Sequence, residues 1–326
     1  MHVSLIISTG VEGIVRVARR REWPLMFCIF LIVWGCGGGS TSPGSSQGPA
    51  PELVRQRTDV VYAAASANQK LDLYLPPTGA GPFPVVVWIH GGGWREGNKV
   101  LPAGAPQFGL LARGYALASI NYRFSSEATF PAQVYDVKAA LRFLRSHAAV
   151  YGLDKNRVAV WGFSAGGHLA ALAGTSGGVA ALEDMDQGNS GESSRVQAVI
   201  DWSGPIDFLQ LDAEAILNGC GDPGYDSPSS TTSLLIGAPI MDRPDLVQKA
   251  NPTTYISADD PPFFIQHGNQ DCDVAWQQSQ LLYNALVPVV GSGQVTLQFL
   301  AEGHGGPLFD ATANISKISD FLDLHL

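Results

Sequence analysis

Four cysteines in 326 residues are too few for a small scaffold stapled by disulfides. Charged side chains make up only 15% of the chain, which excludes a disordered polyelectrolyte and argues against long solvated helices. Basic residues cluster once, at Arg19-Arg20-Arg21, and the formal net charge is −9, so the charge pattern gives nucleic-acid binding no footing. No apolar run reaches the roughly 20 residues that a membrane-crossing helix needs. No repeat with a period of about 20 to 50 residues is visible, which excludes solenoids and propellers. What remains is a chain that is 45% hydrophobic, enough for one large core or two modest ones. Its seven tryptophans and nine tyrosines suit an aromatic-lined cleft and an ordinary core equally well.

The first fifty residues stand apart. Arg19–Arg21 precede the apolar run Leu25–Trp34, whose length is that of a signal-peptide hydrophobic region. Val33-Trp34-Gly35-Cys36 follows, then a Gly/Ser/Pro-rich stretch that reads as a flexible tether. This pattern predicts a lipoprotein-like signal over residues 1–35, with Cys36 as the lipid-bearing first residue, and a tether over 36–52. Trp34 sits where such signals usually carry a small residue, so a plain secretion signal and an uncleaved anchor stay open. Either kind of cleaved signal implies export, to the periplasm, the cell surface or the medium. Cys28 would leave with the signal and Cys36 would be acylated, which leaves Cys220 and Cys272. Two thiols suffice for one bridge in an oxidising compartment, or they are two unrelated buried thiols.

Residues 53–326 read as one α/β domain. Val60-Val61-Tyr62 and Leu71–Leu75 alternate like antiparallel edge strands. Short apolar runs follow at Val85–Ile89, Ala116–Ile120, Val158–Trp161, Val196–Ile200, Phe263–Ile265 and Val295–Leu300. Runs without alternation suggest strands buried on both faces, as in a parallel sheet. Val134, Val137, Leu141 and Leu144 lie three and four apart, which gives one apolar helical face. Trp276–Leu286 and Ile315–Leu324 are further helix candidates. Strands alternating with helices predict a mostly parallel, doubly wound sheet with its chemistry at the carboxyl ends of the strands. Pro205–Asp260 breaks the rhythm with turn signals. It reads as an insertion that either caps the sheet or makes a plain surface excursion.

Gly-x-Ser-x-Gly occurs three times, centred on Ser46, Ser164 and Ser176. Ser46 lies in the tether, and Ser176 follows a helical run. Only Ser164 comes straight after a buried strand and straight before a helix, the setting of a nucleophile elbow. A serine hydroxyl needs a base. Of the downstream histidines, His168 lies on the elbow helix and reads as a packing residue, and His267 sits just past a strand and reads as structural. His325 is penultimate. His304 follows a strand in Glu-Gly-His-Gly-Gly and is the best base. The acid must follow the strand at Phe263, where Asp271 and Asp273 both qualify. Independently, His90-Gly91-Gly92-Gly93-Trp94 follows a strand and offers backbone N–H groups for an oxyanion, with Ala165 as a further donor. This glycine loop lacks the spacing and the lysine-serine pair of a phosphate-binding P-loop.

With HGGGW at 90–94, GFSAGGHLAA at 162–171, DWSGPIDF at 201–208, DDPPFFIQHGNQDCDV at 259–274 and EGHGG at 302–306, the chain resembles an α/β-hydrolase esterase. More narrowly, it is similar to the acetyl-esterase and feruloyl/acetyl-xylan-esterase-like branch related to hormone-sensitive lipase. The resemblance implies Asp271 as the acid and Gly92, Gly93 and Ala165 as oxyanion donors. It implies two-step acyl transfer by Ser164, His304 and Asp271, with no metal or organic cofactor, on a small-molecule or polysaccharide-linked ester. Where the family often has Val-Pro after the acid, this chain has Val274-Ala275. Trp94, Trp202, Phe208 and Trp276 are candidate walls for the acyl or sugar group, or plain core. A broad short-chain carboxylesterase, an arylformamidase or peptidase on the same fold, and a non-catalytic surface binding module remain as alternatives.

Overall fold

Valine, isoleucine and aromatic runs form strands here because both faces of each strand find cover. The computed structural model describes residues 55–326. The predicted leader, the tether and Cys36 lie outside the described residues. Eight strands make one sheet: β1 (Arg55–Val61), β2 (Lys70–Leu75), β3 (Phe83–Ile89), β4 (Ala116–Ile120), β5 (Leu153–Phe163), β6 (Ala198–Trp202), β7 (Phe263–Gly268) and β8 (Val295–Leu300). Their spatial order is β1-β2-β4-β3-β5-β6-β7-β8. The pairs β1–β2 and β2–β4 are antiparallel and the rest are parallel.

The helices are α1 (Gly109–Ala112), α2 (Ala132–Ser146), α3 (Ala148–Tyr151), α4 (Ala165–Thr175), α5 (Leu211–Leu217), α6 (Thr231–Ile236), α7 (Pro244–Ala250), α8 (Gln277–Val290), α9 (Pro307–Asp310) and α10 (Thr312–His325). Alternate residues of β3 feed two cores. Val85, Val87 and Ile89 join the core that α2, α4 and α8 cover on one face. Val86 and Trp88 join the core that α1, α9 and α10 cover on the other. Every residue of α4 is buried, which is why it is apolar almost all round. Trp88, Trp161 and Trp202 pack edge-to-face, with centroids 4.8–6.4 Å apart. Each such pair is worth about 0.5–1.5 kcal/mol beyond its buried area. Together they tie the carboxyl ends of β3, β5 and β6 to one another, and two of those ends carry the loops of the site.

Two expectations need correction. β2 is not an edge strand but lies between β1 and β4. Its alternating polar residue, Asp72, is buried against Lys99, with Nζ to Oδ1 at 2.7 Å. β8 is not covered on both faces. It is the far edge of the sheet, and Thr296, Leu297, Gln298 and Phe299 are partly exposed. The insertion between β6 and β7 holds α5, α6 and α7. No helix among the described residues is long and apolar enough to cross a membrane.

Candidate active site

β5 runs straight into α4 with only Ser164 between them. That abrupt reversal gives Ser164 φ 57° and ψ −123°, a conformation that costs an L-residue of order 1–3 kcal/mol. Close backbone approach holds it in place. A β-carbon on Gly162 would lie 1.9 Å from the Gly166 carbonyl oxygen, and one on Gly166 would lie 2.0 Å from that of Ile89. The Ser164 N–H donates to the Trp202 carbonyl at 2.8 Å, so the elbow is pinned to β6.

The loop after β8 carries His304, whose Nε2 lies 2.8 Å from Ser164 Oγ. Its Nδ1 lies 2.7 Å from Asp271 Oδ2, in the loop after β7. These partners set the tautomer: Nδ1–H donates to the carboxylate, and the free Nε2 accepts from the serine hydroxyl. The ring also packs on Phe163, centroid to centroid 4.9 Å. Asp271 is buried, and its Oδ1 accepts from the N–H groups of Asp273 and Val274, both at 2.9 Å. Burial opposes its ionisation. Hydrogen bonds from His267 and His304 outweigh that and hold the carboxyl well below the usual carboxylate range. Asp273, the other acid that spacing allowed, is exposed.

His267 makes the structural hydrogen bonds expected of it and in addition lies against the acid. Its Nε2–H donates to the Val274 carbonyl at 2.8 Å and lies 3.2 Å from Asp271 Oδ2. Its Nδ1 accepts from Ser279 Oγ at 2.7 Å. Its place four residues before Asp271 was the available signal. His168 packs, as expected of it. Nδ1 accepts from Trp94 Nε1 at 3.2 Å and Nε2–H donates to the Ala250 carbonyl at 2.7 Å. Burial pushes its pKa down to about 4, so the ring stays neutral.

Gly92 and Gly93 have φ of 107° and 56°, which turn the main chain after β3 toward the elbow. Their N–H groups, and that of Ala165 at the first position of α4, have no backbone carbonyl partner among the described residues. Ala165 is free because a helix leaves its first N–H groups unpaired. That helix end also favours negative charge. His90 holds the loop from behind, with its ring stacked on Tyr122 at 4.6 Å and its Nδ1–H donating to the Gly91 carbonyl at 2.7 Å.

A cleft of about 40 Å³ opens beside Ser164, lined by Gly93, Trp94, Ala165, Leu211, Tyr225, Thr231 and neighbours. A separate cavity of about 290 Å³ lies beside His304 and Gly305, over Trp88, Phe163, Trp202 and Phe309. Trp94 and Trp202 therefore line cavities, one each. Phe208 and Trp276 line neither of these two cavities, and for Phe208 the plain-core alternative is the one that holds. Phe208 is buried behind Trp94 and His168, at 5.3 and 5.2 Å. Trp276 packs edge-on against Phe299 of β8 at 5.3 Å. Tyr225, Leu211 and Thr231 come from the insertion, whose sequence carried no sign of what it would face. Cys220 and Cys272 are joined by a disulfide. Among the described residues, no group of His, Cys, Asp or Glu is placed to hold a metal.

A hydroxyl, an imidazole and a carboxylate in this order, beside a loop and a helix end with unpaired amide N–H groups, can carry out acyl transfer. Comparison with known proteins points the same way. Residues 71–286 match the family model described as BD-FAE. The chain is 29% identical over 283 residues to Esterase LipQ of Mycobacterium tuberculosis, covering 84% of this chain and 64% of that one. It is 33% identical over 233 residues to the probable carboxylic ester hydrolase LipM of the same organism, covering 68% and 49%. The chain thus spans about half to two thirds of the length of these curated relatives. Among solved structures, a truncated carbohydrate esterase from gut microbiota superposes with a TM-score of 0.76 at 32% identity, over 86% of this chain and 99% of that one.

Proposed function

The chain belongs to the BD-FAE family, and from that premise we propose that it is a serine esterase that cleaves carboxylic esters of carbohydrate or related small alcohols, with acetyl and feruloyl groups as the acyl candidates. One observation carries the reading: the unbroken line of hydrogen bonds from Ser164 through His304 to Asp271. His304 Nε2 takes the hydroxyl proton as Ser164 Oγ attacks the ester carbonyl. The oxyanion settles on the N–H groups of Gly92, Gly93 and Ala165, each donor worth about 3 kcal/mol to the transition state. Asp271 stabilises the imidazolium. The alcohol leaves with the proton from His304, and the carbonyl re-forms as an acyl-enzyme. Water then repeats the sequence and releases the acid. Similarity to a carbohydrate esterase supports a sugar as the alcohol.

The test compares wild type with Ser164→Ala on p-nitrophenyl acetate, methyl ferulate and acetylated xylan. Turnover by the wild type and none by the variant is expected. Equal rates for the two proteins would instead support a non-catalytic binding module. We also propose export, with Cys36 as a lipid anchor. The Arg19–Arg21 and Leu25–Trp34 pattern supports this, as does the Cys220–Cys272 bridge, which suits an oxidising compartment. Cys36→Ser should move the protein from the membrane fraction to the soluble one. No change in fractionation would end the anchor.

A further inference from the structure

We propose that Tyr225, carried by the insertion between β6 and β7, closes the acyl side of the cleft to groups much larger than acetyl, and that the Cys220–Cys272 disulfide holds it there. This rests on the esterase reading and narrows its substrate. The cleft beside Ser164 measures about 40 Å³. On the same measure a single water needs about 10–15 Å³, so the space suits an acetyl group and not a feruloyl group, which is several times larger. Among its large side chains, Trp94, Leu211 and Val274 are fixed in the core, whereas Tyr225 is only half-buried. Tyr225 is therefore the wall that can change with least disturbance to the fold.

Contacts from two directions hold Tyr225. Its N–H donates to Asp212 Oδ1 at 2.8 Å, and its carbonyl accepts from Ser230 Oγ at 2.7 Å and Thr232 Oγ1 at 2.6 Å. Its phenol donates to the Asp273 carbonyl, two residues beyond the catalytic acid. The disulfide ties Cys220, five residues before Tyr225, to Cys272 of the same acid loop. The chain between has little packing of its own. Gly221 and Gly224 both have positive φ, with nothing within 4 Å of where a β-carbon would stand, and the same holds of Gly219 just before Cys220. A glycine-rich segment of this kind depends on its ties for order, so cutting the disulfide leaves the phenol's bond as the main link to the acid loop.

The experiment measures kcat/KM on p-nitrophenyl acetate, butyrate and hexanoate, where only the acyl group varies, together with methyl ferulate. Overfilling a packed pocket is expected to place wild-type hexanoate about a hundredfold below acetate. Tyr225→Ala should raise the hexanoate-to-acetate ratio about tenfold. Tyr225→Phe, Cys220→Ser and wild type under reductant should shift the ratio the same way by less, and these carry the test should the alanine variant fail to fold. Wild-type turnover of hexanoate or ferulate equal to acetate overturns the gate. An unmoved ratio in folded Tyr225→Ala overturns the role of the tyrosine. An unmoved ratio after reduction, with Cys220 and Cys272 both alkylated in a peptide map, overturns the role of the disulfide. No turnover of any ester by folded wild type overturns the esterase reading itself, a result distinct from the others.

Discussion

Replacing Asp271 by asparagine changes one atom in the line of hydrogen bonds and almost nothing in volume. The amide oxygen can still accept from the N–H groups of Asp273 and Val274, as Oδ1 does now at 2.9 Å. The NH2 group then faces His304 Nδ1, 2.7 Å away, where a donor now meets an acceptor. Two donors cannot share that gap, so His304 must take the other tautomer and place its proton on Nε2. Nε2 faces Ser164 Oγ at 2.8 Å and can no longer accept the hydroxyl proton. The stabilisation of the imidazolium is lost as well. Together these are expected to lower kcat about ten-thousandfold, or about 5.5 kcal/mol, with little change in KM. Asp273→Asn should stay within about threefold, because its side chain is exposed. Initial rates on p-nitrophenyl acetate, with circular dichroism as the folding control, make the comparison. A folded Asp271→Asn within tenfold of wild type, or an equal loss in Asp273→Asn, would refute the reasoning.

Gly92→Ala would place a β-carbon 2.2 Å from the Glu96 carbonyl oxygen, a backbone atom that cannot swing aside. The loop must shift and lose a donor, so kcat should fall about a hundredfold or more, and a threefold effect would count against the oxyanion assignment. Asp201 is buried, with one oxygen accepting from the Gly204 N–H at 3.0 Å and the other unpartnered among the described residues. Burial pushes its pKa up to about 7. Between about pH 4 and pH 7 the unfolded chain releases a proton that the folded chain keeps, so stability falls as pH rises through that window. Asp201→Asn, which cannot ionise, should melt close to wild type near pH 4 and several degrees higher near pH 8; a gap that does not vary with pH would refute this. The Cys220–Cys272 link spans 52 residues and should contribute about 4 kcal/mol in the chain-entropy picture, read as a lower melting temperature under reductant. A melting temperature that reductant leaves unchanged would contradict it.

The legible parts of the sequence were those governed by local backbone geometry. A serine between a buried strand and a helix, with glycines two residues to either side, specifies its own turn, and Ser164 occupies one. The runs at Val85–Ile89 and Phe263–Ile265 became inner strands because their composition demands cover on both sides. Asp72 misled because alternation reads a polar residue as facing water, whereas Lys99, 27 positions away, buries it as an ion pair. Val295–Leu300 misled in the opposite sense: chain order at the end of the sheet, not composition, left it half-covered. The walls of the cleft were the least readable. Phe208 and Trp276 looked suitable by residue type, yet Tyr225 is placed by partners 13 and 48 residues away, through Asp212 and Asp273. No pattern within a short window encodes such pairings.

The interlock at the elbow also bears on how such a chain can diverge. Main-chain atoms of β3, β5 and α4 meet with no room for a β-carbon at Gly162 or Gly166. The Ser164 hydroxyl is thus located by the path of the polypeptide rather than by the choice of neighbouring side chains. Side-chain exchange in the surrounding interior acts on it only indirectly, whereas a β-carbon at either of those two positions drives main chain against main chain. A lineage of this chain can therefore exchange side chains around the elbow far more readily than it can alter the glycines that let strand and helix meet.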